Sequence, residues 1–308
     1  MLNIRIRKKL GPIATEPVTV RGLSVTTVCP LFGHCRQAFY QSKADIQREV
    51  RLERTLVRNV EEIRTEDPGI GAHKLWLMLR SLSISDVVMP GCERFCRLLR
   101  RDGLILSTPR PRHTTNSNHR YHKWRNLIRG FVPSPANQLW VSDITYIMLS
   151  DGNVCCLHLI INAYSHAIIG WVLTGSFRAA ITMQDLEQAI RQAVAMRGST
   201  SLKGLIHHSD HGIQYCRDVY VQMLREHDIS ISIAEDHKST DNAVTGRVNG
   251  IIKTACVYCQ RLFSDMDRAR SVIGRYIRFY NGHRPHISIE YKPPSPVHQG
   301  GGRPGKDV

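Results

Sequence analysis

The stretch NQLWVSDITYIML, residues 137–149, has apolar side chains on both of its alternating faces. Successive side chains of a β-strand point to opposite sides of the sheet, so a strand that is apolar on both sides is an interior strand of a sheet covered on both faces. One acidic residue, Asp143, stands in the middle of this strand. Because burial of a lone carboxylate is costly, Asp143 requires a partner or a metal ion.

The residues after this strand alternate between strand and helix patterns. We predict strands over 154–164, 166–175, 203–210 and 229–235, and helices over 180–196, 216–228, 242–263 and 267–280. Three strands that can pair antiparallel, followed by alternating helices and strands, predict an α/β core with a mixed five-stranded sheet. The fourth strand ends at Asp210, and strand ends in open α/β sheets present ligand sites.

The residues before the core predict only helices. We place these helices over 23–40 with a turn at Gly33, 41–66, 70–82 and 92–104. The breaker Asp67-Pro68-Gly69 ends the second of them, and the last one is rich in arginine. Two short helices joined by a turn fit a helix-turn-helix DNA reader, although the spacing alone fits a basic scaffold helix equally well.

The charge of the chain is concentrated in its front part. The formal net charge is +16, and residues 1–130 contribute 24 Lys and Arg against 11 Asp and Glu. Such an asymmetry favours a polyanionic partner, of which nucleic acid is the commonest. Residues 107–130 are basic with no acidic residue, and their Tyr121 and Trp124 suit stacking on bases. We therefore interpret this segment as a DNA-contacting linker.

Several other classes of protein are not favoured. No apolar run of about 18 residues predicts a membrane span, and the N-terminus lacks the apolar stretch of a secretion signal. Nine scattered cysteines indicate a reducing compartment, so we expect a cytoplasmic protein. Cys256 and Cys259 form a lone C-x-x-C, and Cys92 and Cys96 a lone pair, for both of which packing is favoured over zinc binding.

Asp143 and Asp210 are the candidate metal ligands. Hard carboxylate oxygens suit Mg²⁺ or Mn²⁺. In a two-metal site, such ions activate an attacking oxygen and stabilise the leaving oxygen of a phosphodiester. Two aspartates alone are a weak indication of a metal site, because capping and turn roles are commoner for this residue type.

Four segments of the sequence greatly strengthen the indication of a metal site at Asp143 and Asp210. They are 137–147 (NQLWVSDITYI), 207–220 (HHSDHGIQYCRDVY), 241–254 (DNAVTGRVNGIIKT) and 278–286 (RFYNGHRPH). In this order they resemble the transposases of bacterial insertion sequences that share the retroviral-integrase core, and the resemblance extends over roughly residues 25–298. It implies an α/β fold with a ribonuclease-H-like integrase core, preceded by a helix-turn-helix-like region.

The domain organisation follows from the same resemblance and from composition. We expect an N-terminal extension over 1–22, a helical DNA-binding region over 23–106, a basic linker over 107–130, the integrase core over 131–298 and a disordered tail over 299–308.

The resemblance implies a triad of two aspartates and one glutamate, the first two of which match Asp143 and Asp210. In the family the glutamate follows the second aspartate after 35 intervening residues, and here that count ends on Gly246. Glycine cannot bind a metal, so we expect impaired catalysis. Asp241 lies about 140° from the required helix face at about 100° per residue, whereas Glu235 and Asp236 in the preceding loop remain possible substitutes.

Other departures from the family pattern are milder. Asn162 stands where an aspartate is common, and His166 and His211 replace basic residues. Ala255-Cys256 stands where the family has an acidic residue. His207 and His208 flank the second aspartate, where strand-end packing is favoured over a role in the site.

The resemblance and the charge together predict double-stranded DNA, at the element ends and at the target, as the partner. The residues expected to contact it are Arg94, Arg97, Arg100, Arg101, Arg110, Arg112, Arg120, Lys123, Arg125, Arg247, Lys253 and Arg284. We expect a homo-oligomer on DNA in the bacterial cytoplasm, at the nucleoid, with Mg²⁺ or Mn²⁺ as cofactor and with neither a membrane nor a small-molecule substrate. Three functions remain open: a working transposase, an inactive relative that only binds element ends, and a general DNA- or RNA-binding protein.

Overall fold

The computed structural model describes residues 35–82, 88–106, 124–175, 179–210, 214–234, 243–259 and 262–300, together with Cys29, Gly33 and Gly212. The helices in front of the core are α1 (Arg36–Glu66), α2 (Ala72–Ser81) and α3 (Cys92–Arg101). The core elements follow in the order β1 (Leu139–Met148), β2 (Val154–Asn162), β3 (Ile168–Thr174), α4 (Ala179–Arg197), β4 (Ile206–Ser209), α5 (Asp218–Glu226), β5 (Ser230–Ile233), α6 (Ala243–Ile252), α7 (Met266–Gly282) and α8 (Pro294–His298).

The five strands form one mixed sheet in the order β3-β2-β1-β4-β5. β1, β2 and β3 pair antiparallel, whereas β4 pairs parallel to β1 and to β5. The predicted mixed five-stranded sheet is therefore confirmed, and the strand around residue 143 lies at its centre.

Apolar layers cover both faces of the sheet. One layer joins the sheet to α6 and α7 through residues such as Leu159, Ile252 and Ile273. The other joins it to α4 and α5 through residues such as Trp140 and Leu224. The interior-strand prediction is confirmed for most of β1, but Tyr146 and Met148 at its end are exposed, because the second layer does not extend that far.

The front helices have a separate small core. It includes Leu56, Leu75, Phe95 and Leu99, which come from all three helices. The predicted helices over 70–82 and 92–104 are confirmed with slightly shorter bounds, and the turn at Gly33 is present. The helix predicted over 41–66 begins earlier, at Arg36.

The helix predicted over 242–263 is wrong beyond Ile252. There α6 gives way to a π-helical turn over Lys253–Val257. The turn lies against Gly69, whose backbone N–H donates to the Ala255 carbonyl at 2.9 Å. A side chain at position 69 would overlap the Ala255 backbone, so only glycine allows this approach. The π-helical turn is thus in close contact with the front of the chain, a contact that local sequence does not reveal.

A buried ion pair joins the front helices to the end of the core. Arg284 Nε donates to Asp67 Oδ2 at 2.7 Å, and the two side chains are 6% and 0% exposed. Lys74 on α2 lies close to both charges, and burial lowers its pKa to about 8. In this conformation Arg284 therefore stabilises a contact inside the protein, and its guanidinium does not lie on the surface where the sequence placed it as a DNA contact.

A second buried carboxylate belongs to Asp185 on α4. Its Oδ1 accepts from the Leu186 N–H at 2.9 Å, but its Oδ2 has no hydrogen-bond partner. Burial raises the pKa of Asp185 to about 7 from an ordinary value of 3.8. The unfolded chain therefore releases this proton first, so the folded state loses stability as the pH rises from about 4 to about 7.

We expect Asp185→Asn to stabilise the protein by about 2 kcal/mol at pH 8 and to change little at pH 4. One pKa unit corresponds to about 1.4 kcal/mol, and the introduced amide partly offsets the gain because it is itself a buried polar group. Urea unfolding at both pH values measures the difference, with the exposed Glu187→Gln on the same helix as control. An Asp185→Asn effect that is equal at the two pH values would contradict the assigned ionisation.

Within the part of the chain that the structure describes, no helix combines the length and the apolar character that crossing a bilayer requires.

Candidate active site

The two candidate aspartates lie beside each other at the centre of the sheet. β1 and β4 run parallel with Ser142 opposite Ser209, so the residues that follow, Asp143 and Asp210, occupy neighbouring positions. The Asp210 carboxylate also accepts from the Gly212 N–H at 3.0 Å, where a side chain at 212 would crowd that same oxygen. The structure thus brings together the two residues that the strand patterns singled out.

Asp143 is largely buried and lies beside a second carboxylate. Burial, followed by the negative charge of Asp210, raises the pKa of Asp143 to about 7. Hydrogen bonds from the Ile144 N–H and the Asn249 amide, and the charge of Lys253, act in the opposite direction. A cation bound beside the two carboxylates would favour the ionised form of Asp143.

One face of α6 and of the turn after it lies against these aspartates. Asn249 Nδ2 donates to Asp143 Oδ2 at 2.6 Å. At about 100° per residue, Gly246 lies within about 60° of Asn249 around the helix axis and within about 20° of Lys253. All three residues therefore share the face that is directed at the carboxylates.

Gly246 leaves open space on that face. The glycine is exposed, and a Cβ built on its backbone meets no atom of the described residues within 4 Å. Among these residues no steric contact of a Cβ therefore explains glycine at this position.

Asn249 is a site residue that sequence reasoning missed. It is only 6% exposed, and its Oδ1 is buried with no hydrogen-bond partner. The one indication in the sequence is a polar residue among the apolar Val248, Ile251 and Ile252. Its partner Asp143 is 106 positions away, so the contact appears only in the folded chain.

The histidines before Asp210 have structural roles in the sheet. His207 Nε2 lies 2.8 Å from Ser142 Oγ and 3.0 Å from the Tyr220 hydroxyl, and burial lowers the pKa of His207 to about 3. His208 Nδ1 lies 2.9 Å from Ser232 Oγ. Packing at the strand end, the favoured interpretation, is thus what the geometry supports for both.

The departure at Asn162 also has a local explanation. Its side-chain Oδ1 accepts from the backbone N–H groups of Tyr164 and Ser165, each at 3.1 Å. His166 in the same turn has a φ of 60°. Asn162 therefore holds the turn between β2 and β3.

The predicted DNA-contacting arginines of α3 fall into two groups. Arg94 pairs with Glu49 at 2.8 Å, and Arg101 pairs with Glu53 and Asp102, each at 2.9 Å. Arg97 and Arg100 are exposed, and no ion pair is recorded for them among the residues that the structure describes. Surface pairs contribute only about 0–1 kcal/mol, so a phosphate could replace the carboxylate partners at little cost.

The other predicted DNA contacts are scattered. Arg125 and Arg247 are exposed. Lys253 is half-buried beside Asp143. Burial lowers the pKa of Lys253, and the negative charge of Asp143 acts in the opposite direction. Several predicted residues lie outside the described residues, namely Arg110, Arg112, Arg120, Lys123, His211, Glu235, Asp236 and Asp241. The same holds for residues 1–22, for most of the predicted helix over 23–40, for 107–123 and for 301–308.

The residues present can bind a divalent cation, although they do not include the third carboxylate that the sequence resemblance implies. Two carboxylates and the unpartnered amide oxygen of Asn249 are hard donors of the kind that Mg²⁺ and Mn²⁺ prefer. Over the described ranges no group of three or more His, Cys, Asp or Glu side chains converges in a way that could hold a metal. None of the nine cysteines, all of which lie in the described part of the chain, forms a disulfide bond.

Comparison with known proteins defines first the class of the core. An integrase core domain family matches residues 133–239, and a second integrase core family matches residues 227–294. Together with the mixed sheet and its helical layers, these matches define a ribonuclease-H-like integrase core. The catalytic core of HTLV-2 integrase, solved with magnesium, is 20% identical to this chain, with a TM-score of 0.40. The match covers 56% of this chain and 99% of that core.

Whole-chain relatives then define the family. The 31 kDa protein of insertion element IS600 from Shigella sonnei is 30% identical over 270 residues, covering 85% of this chain and 94% of the relative. The transposase of IS629 from Shigella sonnei is 28% identical over 267 residues, covering 85% and 84%. The putative transposase of IS986/IS6110 from Mycobacterium tuberculosis is 28% identical over 242 residues, covering 77% and 84%. The chain belongs to the bacterial insertion-sequence transposases with an integrase-type core.

Proposed function

We propose that this chain binds the DNA ends of its insertion element and that the cleavage and strand-transfer activity of its family is disabled by Gly246. One observation supports this proposal. Asp143 and Asp210 lie beside each other near the α6 face that contains position 246, and that position has no side chain. The DNA-binding front needs no third carboxylate, so binding survives the loss of chemistry.

The residues of the site determine what remains of the mechanism. A bound pair of Mg²⁺ or Mn²⁺ ions would supply activation of the attacking oxygen and stabilisation of the leaving oxygen. Asp143 and Asp210 would hold the ions, and Lys253 would bring a positive charge to the DNA phosphate nearest Asp143. With glycine at 246, one carboxylate and one unit of negative charge are missing, so we expect a second ion to be held poorly.

The helical front is the part of the chain that we propose binds element ends. α3 presents Arg97 and Arg100, which form no ion pair with any residue that the structure describes, and the pairs of Arg94 and Arg101 lie at the surface. The basic segment 107–130 follows and would track the DNA backbone. Because transposition holds two element ends together, we propose that the chain assembles as a homo-oligomer on DNA.

Replacing Arg97 and Arg100 together by alanine is expected to weaken DNA binding about tenfold or more at 0.15 M salt. Each arginine that neutralises a phosphate contributes close to one to the salt dependence of log K, so the slope should fall by about two. Fluorescence anisotropy on element-end duplexes between 0.05 and 0.3 M salt measures both quantities. Arg191→Ala, an exposed arginine on α4, is the control.

Specificity separates this function from general nucleic-acid binding. We expect the chain to prefer its own terminal sequence over a shuffled duplex of equal length by at least about a thousandfold, the usual range for specific DNA binders. Equal affinity for both duplexes, or a higher affinity for RNA, would contradict the proposed function.

A further inference from the structure

We propose that the Asn249 amide oxygen is the third ligand of a single divalent cation held by Asp143 and Asp210, in the place left by Gly246. This inference rests on the proposed metal site and names the ligand that completes it.

The first observation is the position of the amide. Asn249 Nδ2 lies 2.6 Å from Asp143 Oδ2. Two neighbouring oxygen ligands of one Mg²⁺ lie about 3 Å apart when each bond is about 2.1 Å long. The amide group therefore lies close enough to Asp143 for the two side chains to share one ion.

The second observation is the unused oxygen of the same amide. Asn249 Oδ1 is buried and has no hydrogen-bond partner, which is a costly state for a polar atom. Rotation of the amide by half a turn exchanges its oxygen and nitrogen, so that the oxygen faces Asp143 and the nitrogen takes the buried place of the oxygen. A cation bound by both Asn249 Oδ1 and Asp143 would then replace the hydrogen bond between the two side chains.

The third observation is the geometry of α6. Gly246 precedes Asn249 by three residues, so both lie on the helix face that is directed at the carboxylates. A glutamate reaching from 246 and an amide at 249 would approach the aspartates from neighbouring directions. A neutral amide adds no charge, however, so Asn249 completes the shell of one ion without providing for a second.

Titration with Mn²⁺, carried out at the same pH for every variant, tests this assignment. We expect the full chain to bind one Mn²⁺, measured by calorimetry and by electron paramagnetic resonance. Asn249→Leu should weaken the affinity at least about tenfold, and water-proton relaxation should show one additional water on the ion. Asn249→Asp should tighten binding.

The two variants together distinguish a ligand from a residue that only positions Asp143. A carboxylate at 249 attracts a nearby cation in either role, so the additional water on the ion in Asn249→Leu is the readout that requires a ligand. A residue that only positions Asp143 leaves the number of bound waters unchanged. Weaker binding in Asn249→Asp, or unchanged binding in Asn249→Leu, would overturn the proposal. Thermal melting without metal confirms that each variant folds, and Asn249→Asp keeps the test valid if the leucine variant does not.

The same titration separates this inference from the proposed function. If Asp143→Asn abolishes Mn²⁺ binding and Asn249→Leu does not, only the role of Asn249 fails. If Asp143→Asn also has no effect, the metal site itself is wrong.

Discussion

Replacing Gly246 by glutamate is expected to raise strand transfer on element-end DNA by at least about a hundredfold, the effect that one preorganised charge-stabilising group commonly has. A Cβ at position 246 meets no described atom within 4 Å, and the position lies within about 60° of Asn249 around the helix axis. The new carboxylate would restore the third anionic ligand, so we expect two bound Mn²⁺ ions instead of one. Joining of a labelled element end into plasmid DNA measures the gain.

A matched control isolates the carboxylate from the helix. Glycine weakens a helix interior by about 1 kcal/mol relative to alanine, so Gly246→Ala should stabilise α6 without restoring activity. Gly246→Glu combined with Asp143→Ala should be inactive again. If the alanine and glutamate variants joined DNA ends equally well, the defect caused by Gly246 would lie in helix stability and not in metal binding.

Asp67→Asn is expected to lower the free energy of unfolding by about 3–5 kcal/mol. Removing one partner from a buried ion pair leaves an uncompensated charge, and this effect is typically of that size. Here Asp67 faces two cations, Arg284 and Lys74, both of which lose their counter-charge. Urea unfolding of the full chain measures the loss.

Arg284→Met should cost less than Asp67→Asn, because Lys74 remains as a partner for Asp67. The exposed pair of Arg270 and Asp267, 2.6 Å apart, provides the control, and Arg270→Ala should change stability by no more than about 0.5 kcal/mol. If Asp67→Asn is as mild as Arg270→Ala, the contact between the front helices and the core does not contribute to stability as described.

The sequence predicted what depends on local pattern. Two-sided apolar alternation placed Asp143 on an interior strand, and the parallel register then set it beside Asp210. The family resemblance, through its count of 35 intervening residues after Asp210, implies that Gly246 stands at the third position of the triad, and this stays a prediction. The strand prediction succeeds because strand periodicity is a property of adjacent residues.

The sequence could not predict what depends on distant contacts. Asp67 was interpreted only as part of a helix stop, and Arg284 only as a basic residue, because charge does not indicate burial when the partner is 217 positions away. The π-helical turn after α6 is in close contact with Gly69, and the role of Asn249 requires Asp143. Each of these contacts is set by how the front helices and the sheet pack.

The most direct test of the central claim is a joining assay with the chain as it stands. Pre-cleaved element ends, target plasmid and Mn²⁺ are incubated with the unaltered protein and with its Asp143→Ala variant, at a protein concentration that saturates DNA binding. We expect both proteins to bind the ends and neither to yield joined product above background. Product formed by the unaltered chain and abolished by Asp143→Ala would contradict the claim that Gly246 disables the site.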